Sequence, residues 1–316
     1  MLYAWGRDGE ALTRLEPGAP LADALWIDLY HPQPEQVAQV EALGFPVPSH
    51  EEMEEIEISN RLYVEGGREV MTAILPGRLP DGTQTSGPVS FILTPEQLLT
   101  VRYHAPQPFE TFGPRAGQSS VGTESVETLF LGLMEEIVAR AADLLEAVGR
   151  ALDAAARGVY EAEDREEGDM RELLRELGRQ GEVMSRVRLG LLSIERVLGF
   201  FLARRGNARG NVKAAVKARQ RDIDALELHA DFLGSRLSLI TDTTLGMIDL
   251  DQSATVRIVS VMSVIFLPPT LIASLYGMNF AFMPELDAPL GYPIAVAAMV
   301  ASAALTWAFF RWKRML

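Results

Sequence analysis

Two apolar runs near the C-terminus limit what this chain can fold into. Val256–Tyr276 reads VRIVSVMSVIFLPPTLIASLY and Tyr292–Phe310 reads YPIAVAAMVASAALTWAFF. As helices rising 1.5 Å per residue, each spans about 30 Å, the thickness of a bilayer's hydrocarbon core. The alternative is a pair of buried core helices. Two such runs close together, with Arg311, Lys313 and Arg314 after the second, point instead to two membrane spans. Arg257 sits at the end of the first run, where its side chain can snorkel. The second run is rich in Ala, with Ser302 among them, and such small residues permit close helix packing in lipid.

Orientation follows from where the positive charge lies. The link between the runs, FAFMPELDAPLG, has no Lys or Arg and carries Glu285 and Asp287. The outer ends carry Arg257, Arg311, Lys313 and Arg314, so both termini are expected on the cytoplasmic side of a cell inner (plasma) membrane. MLYAWGRDGEALTR at the N-terminus contains no long apolar run, and no signal peptide is expected.

The rest of the chain is polar and acidic. A formal charge of −14 argues against a general nucleic-acid binder, which needs a basic face, and suits a protein that handles cations. With no cysteine in the sequence, disulfides, thiolate metal sites and cysteine nucleophiles are excluded.

Up to about residue 124 the pattern is α+β. Expected strands are Ala24–Tyr30, Glu69–Leu75, Val89–Thr94 and Leu98–His104, with a turn-rich stretch from Pro76 to Pro88. Gln33–Leu43 and the acidic run Ser49–Glu57 are expected helices. From residue 125 the pattern is helical, over Thr128–Tyr160 and Asp169–Phe201, as a hairpin within 125–205. The tip between them, EAEDREEGD, reads as a solvated turn or as a surface that attracts cations. A stalk helix is expected over 206–255, running without proline from Asn211 to Leu267. Its apolar residues Val216, Ile223, Leu226, Ala230, Leu233, Leu237, Ile240 and Met247 recur every three or four residues as a heptad-like seam. Continuous with the first span (256–276), this helix approaches about 100 Å. A loop (277–291), the second span (292–310) and a basic tail (311–316) complete the chain.

The first span carries a polar stripe. Steps of three and four from Ser253 reach Val256, Ser260, Ser263, Leu267, Thr270, Ser274 and Gly277, and five of these eight positions bear a hydroxyl. In a membrane such hydroxyls meet water, a partner helix or their own backbone. Backwards, the register reaches Asp249, Gly246 and Asp242. Around a symmetry axis the two carboxylates would form acidic rings fit for divalent cations with oxygen ligands; otherwise they are simply exposed on a stalk.

The span ends at Tyr276-Gly277-Met278-Asn279-Phe280. A Gly-Met-Asn tripeptide between two terminal spans, with Phe266–Ser274 (FLPPTLIAS) before it and Met283-Pro284-Glu285-Leu286 and Gly291-Tyr292-Pro293 after it, resembles the CorA family of magnesium and cobalt transporters. Trp26-Ile27-Asp28-Leu29 and the basic tail extend the resemblance over the whole chain. It implies a funnel-shaped homopentamer in the bilayer, passing hydrated Mg²⁺, and also Co²⁺ and Ni²⁺, without an organic cofactor. Tyr276, Gly277, Met278 and Asn279 would form the selectivity filter. Ser253, Val256, Ser260, Ser263, Leu267, Thr270 and Ser274 would line the pore, with Val256 and Leu267 as hydrophobic constrictions. Glu285 and Asp287 would concentrate cations at the outer mouth. Gating is implied by intracellular Mg²⁺ as the regulatory ion, with Asp242 and Asp249 as regulatory metal ligands; Asp242 falls where the family carries a pore-side acidic residue.

Two positions depart from the family's habit. Ala281 stands where a Glu or other polar residue is common, and Ser253 where Asn is common. Related zinc transporters of the ZntB type vary the middle residue of the tripeptide, so Met278 favours magnesium. A non-conducting, membrane-anchored signalling protein is the rival from another class. An enzyme is not expected: His31, His50, His104 and His229 show no metal-ligand spacing, and there is no nucleophile elbow or phosphate-binding loop.

Overall fold

The computed structural model describes residues 1–9, 11–160, 167–205, 210–278 and 290–313. Its contacts divide the chain into two compact units, Met1–Thr241 and Asp242–Leu316.

The first unit is built on a seven-stranded sheet. Its strands are β1 (Leu2–Asp8), β2 (Ala11–Arg14), β3 (Trp26–Tyr30), β4 (Leu62–Glu65), β5 (Arg68–Arg78), β6 (Gln84–Leu93) and β7 (Leu98–Arg102). They lie in the order β2-β1-β3-β7-β6-β5-β4. Only the central β3–β7 pair is parallel, and both strands are buried along almost their whole length. A parallel pair needs a long crossover and cover on both faces. The intervening chain supplies the crossover, and short helices α1 (Pro34–Glu41), α2 (His50–Glu54) and α3 (Ile58–Arg61) lie within it.

Alternation along β3 sorts the two faces. Ile27 and Leu29 share a core with Val40 of α1 and Met53 of α2. Trp26 points the other way, stacked on Trp5 at 5.8 Å and edge-on to Phe112 at 5.9 Å. Phe109 and Phe112 belong to α4 (Pro108–Arg115). Beyond them, the aromatic layer continues through Phe91 of β6, Phe130 of α5 (Val126–Tyr160) and Phe201 of α6 (Glu167–Arg204).

Several local expectations shift. β1, β2, β4 and α4 were not predicted. The stretch from Pro76 to Pro88 is mostly strand, because β5 and β6 form one long hairpin in which Pro76 pairs with Ser86 and Ile74 with Pro88. Each proline falls beyond the end of the neighbouring ladder: β4 covers β5 only from Arg68 to Met71, and β7 covers β6 only from Val89 to Leu93. Neither missing N–H therefore interrupts a bond. Ser49–Glu57 is not one helix. Ser49 caps α2 in a capping box with Glu52, and the chain turns extended at Glu55, where like charges crowd successive turns. The tip at residues 161–166 lies outside the described residues.

α7 runs from Gly210 to Tyr276 as one helix, through Pro268 and Pro269. The two prolines remove two backbone donors; membrane helices tolerate this because neighbouring groups re-satisfy the backbone. Within the first unit, the expected seam of α7 faces its own chain: Val216, Ile223, Ala230, Leu233 and Ile240 are all buried. Gly181 makes room there, since a Cβ on it would meet Leu237 at 3.1 Å. Ion pairs Arg219–Glu135, Arg188–Asp231 and Arg236–Asp153 tie α7 to α5 and α6.

The second unit contains the end of α7 and α8 (Gly291–Trp312). Each holds a window long and apolar enough to cross a bilayer, and only 6% of either window is buried. A soluble core helix would bury its apolar surface; these leave it for lipid or for other copies of the chain.

Candidate functional site

The membrane-facing end of α7 has two faces. Burial concentrates on one: Val261 is buried, and Ala254, Ile265, Pro268, Ile272 and Tyr276 are partly covered. On α8 the matching stripe is Gly291, Ala295, Met299, Ser302, Thr306 and Phe310. Both stripes recur at helical spacing, and the α8 stripe includes the small residues Gly291, Ala295 and Ser302, which suit close packing in lipid.

The predicted polar stripe lies elsewhere on α7. Ser253, Val256, Ser260, Ser263, Leu267, Thr270 and Ser274 are all exposed. Its 4-3 spacing continues through Asp249, Gly246 and Asp242, all exposed, and on to Leu239, Ser235, Phe232 and Leu228. Of these last positions, Leu239, Phe232 and Leu228 are 62%, 57% and 73% exposed. α7 therefore carries two seams: one buried against its own chain, the other open from Leu228 to Ser274. The first seam, and the second from Asp242 to Ser274, match the expected registers; Leu239, Phe232 and Leu228, which extend the open seam, were not expected. Their 3.5-residue period was the available signal.

Two hydroxyls on the open stripe bond back to their own helix. Ser263 Oγ donates to the Val259 carbonyl at 2.8 Å and Thr270 Oγ1 to the Phe266 carbonyl at 2.7 Å. A hydroxyl has one proton and two lone pairs. With the proton committed to the backbone, each presents only lone pairs outward. That is the polarity needed to accept from a cation's bound water, because such water points its hydrogens away from the metal.

At the end of the stripe, Gly277 N–H donates to the Ala273 carbonyl at 3.0 Å and Met278 N–H to Leu275 at 3.4 Å. A Cβ on Gly277 would sit 3.2 Å from the Ala273 oxygen, so a side chain there would press on the backbone that ends the helix. Asn279, Glu285 and Asp287 lie outside the described residues. Asp242 and Asp249 stand seven residues apart on one face, and among the described residues no cluster of three or more His, Cys, Asp or Glu could hold a metal. Within one chain the two carboxylates alone do not make a metal site.

The model of the CorA-like Mg²⁺ transporter protein family matches residues 22–314. The chain belongs to this family. The magnesium transport protein CorA of Escherichia coli K12 is 32% identical over 320 residues, covering all of both chains. The complete CorA magnesium transporter structure from Methanocaldococcus jannaschii aligns with a TM-score of 0.72 at 18% identity, covering 98% of this chain and 97% of that one. The ZntB cytoplasmic domain from Vibrio parahaemolyticus aligns with a TM-score of 0.56 at 10% identity, over 78% of this chain and 97% of that one. The structural matches establish a CorA-type fold.

The CorA-family segment Trp26–Leu29 contributes Asp28 to a buried polar network in the first unit. Arg102 Nε donates to both Asp28 oxygens at 3.1 Å and Nη2 to one of them at 2.8 Å. Thr100 Oγ1 donates to Asp28 at 2.8 Å and accepts from the Trp26 indole at 3.0 Å. Arg102 also lies over the rings of Tyr30 and Phe109 and donates to the His104 carbonyl at 3.1 Å. His104 Nε2 lies 2.9 Å from the Leu75 carbonyl. Burial pushes its pKa down to about 4, against that hydrogen bond and with help from Arg102. The ring is thus neutral, with Nε2 as the donor. This network is a structural device of the first unit. It is invisible to motif reading because Asp28 and Arg102 lie 74 residues apart in sequence.

Proposed function

We propose that this protein is the subunit of a homopentameric channel that passes hydrated Mg²⁺, and also Co²⁺ and Ni²⁺, down the electrochemical gradient. The open stripe on α7 carries this reading: hydroxyls with outward lone pairs, exposed, on a membrane-crossing helix of a CorA-family chain. Mg²⁺ gives up water reluctantly, so outer-sphere acceptors suit it. Ser253, Ser260, Ser263, Thr270 and Ser274 line the pore, Val256 and Leu267 form dewetting constrictions, and Tyr276, Gly277, Met278 and Asn279 form the filter. Glu285 and Asp287 raise the cation concentration at the mouth.

Self-association is supported by Leu228, Phe232 and Leu239, a solvent-exposed apolar line in coiled-coil register with the stripe. In such an assembly Asp242 and Asp249 would stack as rings that hold regulatory intracellular Mg²⁺ and couple its loss to opening. The charge pattern at the ends of the spans supports an inner-membrane protein with both termini in the cytoplasm. On this reading residues 1–124 form the α/β domain, 125–205 the hairpin and 206–255 the stalk; 256–276 and 292–310 span the membrane, 277–291 form the outer loop, and 311–316 form the tail. An interior-negative potential drives entry with about 4.6 kcal/mol per divalent ion per 100 mV, so no nucleotide hydrolysis is needed.

The test is reconstitution into liposomes holding a magnesium-sensitive dye under an inside-negative potential. Magnesium entry that collapses in Asn279→Ala is expected. Proton-dependent zinc entry without magnesium entry would favour a ZntB-like transporter. No flux from folded, oligomeric protein would favour the non-conducting reading.

A further inference from the structure

On a chain of formal charge −14, three arginines line one cleft of the first unit. Arg78 ends β5, Arg140 lies on α5 and Arg186 on α6, around a space of about 590 Å³. That volume is in the range of small-molecule sites. Glu110 of α4 is the one acidic residue in the lining. Arg186 pairs with Glu182, one turn away, and Arg140 approaches Asp143 only to 3.9 Å; neither carboxylate lines the cleft. Arg78 is exposed and forms no ion pair among the described residues.

Guanidinium groups bind phosphate oxygens in pairs of parallel hydrogen bonds and stay charged at all physiological pH values. Three of them, from three different elements, suit an extended anion with several charges better than a single carboxylate. Gln84 and Gln107 add amide donors and acceptors beside them. Tyr30, Leu79 and Leu144 line the same cleft, and the Tyr30 ring already carries Arg102 at 4.5 Å. A purely inorganic polyanion would have no use for that apolar wall, whereas a flat base would.

We propose that this cleft binds a nucleoside triphosphate, its phosphates on Arg78, Arg140 and Arg186 and its base against the Tyr30–Leu79–Leu144 wall. The site is independent of the ion-conduction reading, because it lies wholly in the first unit and its occupancy is read without flux.

The test is equilibrium dialysis of full-length, detergent-solubilised protein against radiolabelled ATP at fixed magnesium, with inorganic triphosphate and adenosine as competitors. Saturable ATP binding is expected, displaced by triphosphate only at higher concentration and not by adenosine. Arg78→Glu and Arg186→Glu should each weaken it about tenfold or more, with the melting temperature unchanged for Arg78→Glu, which breaks no ion pair among the described residues. Glu110→Gln, which removes the opposing charge, should tighten it severalfold. Equal affinity for triphosphate and ATP would overturn the nucleoside assignment. Absence of saturable binding, or binding indifferent to both arginine reversals, would overturn the site.

Discussion

Lowering the pH from 7.5 to 5 should destabilise the first unit through His104. The ring is 2% exposed, and its Nε2 bonds the Leu75 carbonyl. Its place is made by Gly77 and Gly87, where a Cβ would lie 2.5 and 2.9 Å from the ring. An unfolded histidine takes up its proton near pH 6.5, whereas the folded one does so only at about 4. Between these values the unfolded state binds more protons, so stability falls as the pH falls. The full difference corresponds to roughly 3 kcal/mol, and about 2 kcal/mol of it is lost by pH 5. For a unit of this size that lowers the melting temperature by roughly 4–8 °C. The assay is thermal unfolding of the full-length protein in detergent, followed by tryptophan fluorescence at half-unit pH steps. His104→Gln, whose amide can still donate to Leu75, provides the reference. Its melting temperature should fall less between pH 7.5 and 5, and the gap between the two curves isolates the histidine. Parallel curves would refute the reasoning.

Arg102→Met should cost about 3–5 kcal/mol by stranding the Asp28 carboxylate, while Asp28→Leu with Arg102→Met should recover most of the loss; melting temperatures measure both. Thr270→Val removes a hydroxyl whose proton serves only its own helix, so the melting temperature should hold while magnesium flux into dye-loaded liposomes falls about tenfold. Leu239→Glu, at a position 62% exposed, should leave the fold intact but shift the oligomer toward smaller species on multi-angle light scattering, because it places like charges along the open seam.

Some of this protein is legible one segment at a time. The bilayer demands a length of apolar chain, so Val256–Tyr276 and Tyr292–Phe310 announce themselves without reference to anything distant. The Gly-Met-Asn tripeptide and its flanks are contiguous, and they suffice to identify the family. Helical periodicity over Thr128–Tyr160 and Asp169–Phe201 reads directly because each residue is judged against neighbours three and four away. The strands are harder. β1 exists because β3 offers Trp26–Leu29 as a partner, and β2 because β1 then offers its other edge; the hairpin of β5 and β6 runs through Pro76 and Pro88 because the neighbouring ladders stop short. The two seams of α7 share one periodic signal, and only packing against α5 and α6 decides which is buried. Asp28 finds Arg102, and Arg78, Arg140 and Arg186 come to one cleft, through the folding of segments remote in sequence. Spacing along the chain determines membrane spans, helices and motifs, since those are local demands of solvent and backbone. Buried ion pairs, the neutral histidine and the choice of open face are decided by three-dimensional packing, since the energy of each depends on what the fold places opposite it.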